Sequence, residues 1–212
     1  MHYLFTDAET GGLDQRFHSL LTAYFGIYDE NLNLIDDLDL KLKPDDISKL
    51  QVTKEALDVT GINIDEHLKD PNTITYSEGN KKVLELLERN KIKGKRKHFR
   101  PSGHNVGFDL TFYEYQLFEE NFDDWRKTVH HNPIDTLRIV TFLQDVGLLP
   151  ADASRLTDLV KFFGIPMGQA HNAREDIKMN VEVYRCLLKM FKDKKDSFSG
   201  ISNHSLLEIV EK

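Results

Sequence analysis

Residues 3–13, Tyr3-Leu4-Phe5-Thr6-Asp7-Ala8-Glu9-Thr10-Gly11-Gly12-Leu13, are an apolar run that ends in two acids and two glycines. In an extended strand alternate residues share a face, so Tyr3, Phe5, Asp7 and Glu9 project one way and Leu4, Thr6 and Ala8 the other. The two carboxylates then stand about 6.5–7 Å apart on an otherwise apolar strand, and burying either one unpaired costs several kcal/mol. No Lys or Arg lies in the stretch. A hard divalent cation such as Mg²⁺, which takes oxygen ligands and bridges carboxylates to substrate phosphates, answers that charge; a strand whose end runs into water answers it equally well.

Bulk properties narrow the class without choosing the function. The 212 residues suffice for one sizeable core, and 40% hydrophobic with 30% charged residues is ordinary for a soluble globular protein. No apolar run approaches the roughly 18 residues of a membrane span, and no signal-like region precedes the first strand. Cys186 is the single cysteine. An internal disulfide is excluded, which agrees with a reducing, cytoplasmic setting. A net charge of −7 argues against a protein that coats nucleic acid nonspecifically. It does not argue against an enzyme acting on nucleic-acid ends, because a cluster of acidic metal ligands is itself negative until filled.

The pattern along the chain is a three-stranded meander followed by alternating strands and helices. Residues 19–28 read as a second strand and residues 34–42 as a third, with Leu38, Leu40 and Leu42 alternating against Asp37, Asp39 and Lys41 near a sheet edge. Short helical pieces over 53–70 begin at a capping Thr53, and residues 77–89 form an amphipathic helix. Six basic residues then crowd into positions 91–100. They form either an exposed loop or a grip on a phosphate backbone. A strand over 99–103, weakened by Pro101, leads into a helix rich in aromatics: Phe112, Tyr113, Tyr115 and Phe118. Residues 134–140 start another element, Leu156 to Phe163 a helix stopped by Gly164 and Pro166. The last long helix begins near Asn172, with Ala173, Asp176, Ile177, Asn180, Val181, Tyr184, Leu187, Leu188 and Phe191 on one stripe. Strands alternating with helices after residue 77 indicate α/β layering. Residues 193–200 have linker chemistry, and Ile201 to Lys212 a short helix that either packs back or meets a partner.

Three separated acidic sites, Asp7 with Glu9, Asp109 and Asp176, now stand together. Asp7-Ala8-Glu9-Thr10-Gly11-Gly12-Leu13, His104-Asn105-Val106-Gly107-Phe108-Asp109 and His171-Asn172-Ala173-Arg174-Glu175-Asp176 resemble, in this order, the three motifs of the DEDDh family of 3′→5′ exonucleases, relatives of polymerase proofreading subunits and RNase T. The resemblance covers roughly residues 1–190 and includes residues 52–62, 134–137 and 156–159. The histidine five residues before the last aspartate separates this family from relatives that use tyrosine.

The resemblance implies an RNase H-like α/β fold: a five-stranded mixed sheet flanked by helices on both faces, with residues 1–192 as the exonuclease domain and 193–212 as linker and short C-terminal helix. It implies two Mg²⁺ or Mn²⁺ ions, with Asp7 on both, Glu9 and Asp176 completing one, Asp109 holding the second, and His171 as general base. An ordinary imidazole pKa of about 6.5 suits His171 to that role. Thr10 and Gly11 are similar to positions that meet the terminal sugar, and Gly11 and Gly12 would let backbone approach a ligand. Leu13 is similar to an apolar wedge against the last base, or is a core leucine. Asn105 is similar to the asparagine that organises the second-metal loop, or is a helix cap. Asp135 is read as structural. Many relatives carry Glu on the second strand where this chain has Thr22-Ala23. The expected substrates are single-stranded or frayed 3′ ends of DNA, or of RNA, released as nucleoside 5′-monophosphates. A polymerase or another replication protein would bind through the tail. The alternatives are a noncatalytic nucleic-acid or polymerase-binding module and an oligoribonuclease.

Overall fold

The computed structural model describes residues 1–95, 97–119, 121–167 and 172–193. Its centre is β1 (His2–Thr10), which pairs antiparallel with β2 (Leu20–Tyr28), and β2 in turn with β3 (Leu34–Lys43). Two short helices, α1 (Lys54–Thr60) and α2 (Ile64–Lys69), follow; the Thr53 hydroxyl accepts the Ala56 N–H at the start of α1, as its position before an amphipathic run predicts. β4 (Thr73–Thr75) then lies parallel to β3, and α3 (Tyr76–Arg89) begins with a reciprocal Thr75–Glu78 capping box. β5 (Phe99–Gly103) runs parallel to β1 on its other side. The remaining elements are α4 (Val106–Phe112), a π-turn over Tyr113–Leu117, α5 (Phe122–Thr128), β6 (Ile134–Asp135), α6 (Thr136–Asp145), α7 (Leu156–Phe163) and α8 (Ala173–Asp193).

The sheet order is β4-β3-β2-β1-β5-β6, a mixed sheet of six strands. The extra strand relative to the expected five is the three-residue β4, too short to carry its own alternation, and it moves β3 one place in from the edge. Helices cover both faces, because β1 and β2 bury alternate residues on opposite sides. Leu4, Ala23 and Phe25 pack under α3, the π-turn and α5, whereas Phe5, Tyr24 and Tyr28 pack under α8. Asp7 and Glu9 share the parity of Phe5 and so sit on the α8 side.

The long α8 is wedged between two layers rather than buried along one stripe. Ala173, Ile177, Val181 and Tyr184 face the sheet, while Met179, Val183 and Leu187 fill a separate cluster with α6 and α7. Phe191, expected on the buried stripe, is 39% exposed because the helix has run past the sheet there. The expected linker and C-terminal helix lie, after Asp193, outside the described residues. Among the described residues no helix is long and apolar enough to cross a membrane.

Candidate active site

The site forms where β1 outruns its parallel neighbour. β5 pairs with β1 only as far as Phe5↔Ser102, while β2 continues to Thr10. β5 ends at Gly103, where a Cβ would stand 2.9 Å from the Thr6 carbonyl oxygen, so only glycine lets the chain turn this close to β1. Asn105 follows in the left-handed region at φ 61°, and its backbone N–H donates to Asp135 Oδ1 at 2.9 Å. Its side chain makes no capping bond, so the cap reading of Asn105 fails. Asp135 also accepts the Leu137 N–H at 3.0 Å and caps α6, the structural role expected of it. The turn aims the first residues of α4 back at β1. Asp109 is 4% exposed, and the nearby Ala8 backbone N–H pulls against the upward shift of its carboxyl.

Carboxylate oxygens of Asp7, Glu9 and Asp176 all lie within 4.8 Å of one another. Asp109 stands outside that group but faces it electrically, as the strongest of the charges acting on Asp7. Asp176 is half-buried rather than fully buried. The consequence for protonation is large. Burial first, then Asp109, Glu9 and Asp176, pushes the Asp7 carboxyl well above its ordinary range. Burial and then Asp176 push Glu9 up to about 7. Burial also raises Asp109, against the pull of its backbone hydrogen bonds. Among the described residues, no cationic side chain counts among the groups that shift Asp7, Glu9 or Asp109. Clustered oxygen donors whose charges repel fit a hard divalent cation.

Two supports for the acids were not visible in the sequence. The Thr6 hydroxyl donates to the Tyr24 carbonyl oxygen at 2.7 Å, and the buried Tyr113 hydroxyl shares its one proton between Thr6 Oγ1 at 2.7 Å and the Asp7 carbonyl oxygen at 3.1 Å. Tyr113 opens the π-turn, an insertion that recurs at functional sites. At the other support, Arg174 pairs with Asp37, which also accepts the Tyr24 hydroxyl at 2.9 Å. This ties the first turn of α8, and with it Asp176, to β2 and β3. His171 lies outside the described residues. The helix behind it is anchored by Asn172, whose carbonyl oxygen accepts the Asp176 N–H at 2.8 Å.

The 10–13 segment lies beside the acids and is held by its own hydrogen bonds. The Thr10 hydroxyl donates to the Gly12 carbonyl oxygen at 2.7 Å. Gly11 donates its N–H to the Ser19 carbonyl oxygen, and its own carbonyl oxygen accepts the Thr53 N–H, both at 2.7 Å. A Cβ on Gly11 would meet Gln51 O at 2.5 Å, and one on Gly12 the His18 ring at 2.5 Å. The missing Cβ atoms make room for neighbouring protein, and Gly12 also lines the pocket beside Glu9. Leu13 is 82% exposed, which removes the core reading and leaves a projecting side chain. It rims an apolar pocket of ≈480 Å³ beside Glu9, closed by Ala56 and Val59 of α1 and by Phe108. The sequence signal for that wall was weak: Val59 is an exposed apolar residue on a seven-residue helix. Thr22, where many relatives carry Glu, stands directly opposite Glu9.

No family model and no curated protein matches the chain. Solved structures do. Escherichia coli exonuclease I in complex with a dT13 oligonucleotide superposes with a TM-score of 0.72 at 20% identity, over 98% of this chain and 45% of that one. The zinc-bound form of the E. coli exonuclease I–ssDNA complex gives 0.72 at 20%, over 98% and 44%. A moderately thermophilic exonuclease I from Methylocaldum szegediense gives 0.70 at 22%, over 99% and 45%. The chain thus has the RNase H-like fold found in exonuclease I and spans less than half the length of those chains.

Proposed function

We propose that this chain, carrying the exonuclease I fold over 98% of its length, is a metal-dependent 3′→5′ exonuclease that removes nucleoside 5′-monophosphates from single-stranded or frayed DNA, with RNA as the second candidate polymer. The observation that carries the reading is the Asp7, Glu9 and Asp176 group within 4.8 Å on that fold. Asp7, Glu9 and Asp176 would hold one Mg²⁺ or Mn²⁺, and Asp7 with Asp109 the second. Bound there, the cations supply positive charge for the attacking and leaving oxygens of an in-line displacement at phosphorus. The residues of the chain supply placement and proton transfer. Leu13, Val59 and Phe108 take the terminal base in the apolar pocket, and Thr10 stands beside its sugar. His171 accepts the proton of the attacking water as its oxygen bonds to phosphorus. The bond to the 3′ oxygen of the preceding nucleotide breaks, and that oxygen gains a proton to become the new 3′ end.

The test is incubation with 5′-labelled single-stranded DNA and RNA in Mg²⁺, Mn²⁺ or chelator. The expected result is a metal-dependent ladder shortened from the 3′ end, slowed about 10²–10⁴-fold in His171→Ala. Binding without shortening of either polymer overturns the reading in favour of a noncatalytic module. Shortening confined to the shortest RNAs replaces it with an oligoribonuclease.

A further inference from the structure

A second opening shares one lining residue with the pocket that would take the terminal base. His18 lines both that pocket and a cleft of ≈450 Å³ walled by Arg16, Phe17 and Tyr115 on one side and by Lys49 on the other. The 13–19 loop that carries His18 is not loose. Asp14 accepts the His18 N–H at 2.7 Å and donates its own N–H to His18 Nδ1 at 3.0 Å, and the Ser19 N–H reaches Gln51 O at 2.8 Å. From the π-turn, the Gln116 side chain donates to the Gln15 carbonyl oxygen at 3.0 Å and accepts the Leu20 N–H at 2.8 Å.

This braced loop nevertheless leaves Phe17 59% exposed, with Tyr115 38% exposed beside it. Phe17 and Tyr115 line the same cleft, so the two exposed rings are offered together on one concave surface. The Arg16 guanidinium lies 5.1 Å from the centre of the Tyr115 ring and donates to its hydroxyl at 3.0 Å, which fixes the ring's orientation. Exposed rings with interleaved Arg and Lys are what a single strand needs, since every base has a face to stack and every linkage a phosphate.

We propose that this cleft is a second nucleotide subsite, in which Phe17 and Tyr115 stack bases on the 5′ side of the terminal nucleotide while Arg16 and Lys49 meet their phosphates. The proposal rests on the exonuclease reading, because it needs the 3′ end seated at Glu9. The cleft also holds Asp45, Asp46 and Glu119. Asp45 accepts the Ser77 N–H at 3.2 Å, and Asp46 the Ser48 N–H at 3.0 Å and hydroxyl at 2.7 Å, so both are engaged in starting helices. With acids facing the two cations, stacking supplies most of the grip and the salt dependence is shallow.

The experiment measures binding of 5′-labelled homopolymers, from dinucleotides upward, to the full chain in chelator, and their degradation in Mg²⁺. Affinity should rise with length in the wild type, and Phe17→Ala and Tyr115→Ala should each forfeit about tenfold of that gain. The deficit should grow once strands reach the cleft, whereas Tyr115→Phe, which keeps the ring, should retain the gain. Arg16→Ala should lower the salt slope by about 0.7. Phe17→Ala and Tyr115→Ala proteins that follow the wild-type length dependence, while strands are still shortened, overturn the subsite alone. A wild type that binds no strand overturns it together with the exonuclease reading.

Discussion

The two ends of β1 present opposite chemistry, and the structure resolves each in its own way. At the far end, Asp7 and Glu9 extend beyond β5 with Asp109 and Asp176 against them. At the near end, His2 pairs with Phe99, which follows the most basic run of the sequence. Part of the basic end is taken up by local partners: Lys91 pairs with Glu88, Lys97 donates to the Val129 carbonyl oxygen, and His98 is buried and accepts the Ile92 N–H. The acidic end differs in kind, since among the described residues the charges that shift Asp7 and Glu9 are other carboxylates. Density of charge along a sequence is a poor guide to a site; charge held in place against its own repulsion is a better one.

Removing an acid is the strongest way to break the contrast. Asp7→Ala should lower turnover on the order of 10³-fold or more, since the proposed pair of ions would lose its shared ligand. The same change should leave the melting temperature in chelator at or above the wild-type value, because repulsion with Asp109, Glu9 and Asp176 is relieved. Nuclease assay and thermal melting on one preparation check both. A variant that melts earlier in chelator would show that the cluster is a stabilising network, no different in kind from the basic end.

The next largest effect is on the pH dependence of the metal-free protein. The folded Glu9 carboxyl keeps its proton up to about pH 7, while the unfolded one releases it near its ordinary 4.5. Between these values the folded state binds more protons, so stability falls as pH rises, on the order of 2 kcal/mol at this half-buried, partly screened position. His104, pulled down by burial, has the opposite sign and loses stability as pH falls below 6.5. The clean measurement is therefore the difference between wild type and Glu9→Gln in chelator. The wild type should lose ground to the variant from pH 4.5 to 7, and Mg²⁺ should restore it. A flat difference would mean that Glu9 is fully hydrated.

Tyr113→Phe sharpens the comparison by asking how the acidic strand end is held. Losing the bonds to Thr6 and to the Asp7 carbonyl oxygen should cost about 1–2 kcal/mol of stability. Activity should fall about tenfold through misplacement of Asp7. Because Tyr113 touches no reacting atom, the fall should appear in kcat with KM little changed. Wild-type kinetics in a destabilised protein would confine Tyr113 to the core.

These features differ in how far the sequence announced them. Strand parity singled out Asp7 and Glu9 and a helical stripe singled out Asp176, but each was weak alone, and it was the resemblance to three ordered exonuclease motifs that joined them with Asp109. Tyr113 could not be read, since one aromatic among Phe112, Tyr113, Tyr115 and Phe118 looks like another until the π-turn shifts the helical phase and sends it under β1. The second buried face of α8 was hidden because Met179 and Val183 fall between the residues of the sheet-facing stripe, and only the packing of α6 and α7 makes them core. The crowding of Gly11 and Gly12 by Gln51 and His18 could not be read, since those neighbours are brought by chain segments whose approach no local pattern records.

The smallest expected effect is the most direct check on the basic end. Lys93 and Lys95 are exposed, and β5 carries the chain away from them for five residues before the turn that leads to Asp109. At about 3.3 Å per residue that strand alone separates them from the acids by more than a Debye length at physiological salt. Lys93→Ala combined with Lys95→Ala should then leave stability within about 0.5 kcal/mol and the KM for a single strand within about twofold. Measured beside Arg16→Ala under one set of salt concentrations, the double variant should keep the wild-type salt slope while the Arg16 variant does not. A tenfold loss of strand affinity in the double variant would place the substrate's path over the basic end and undo the contrast from which these expectations start.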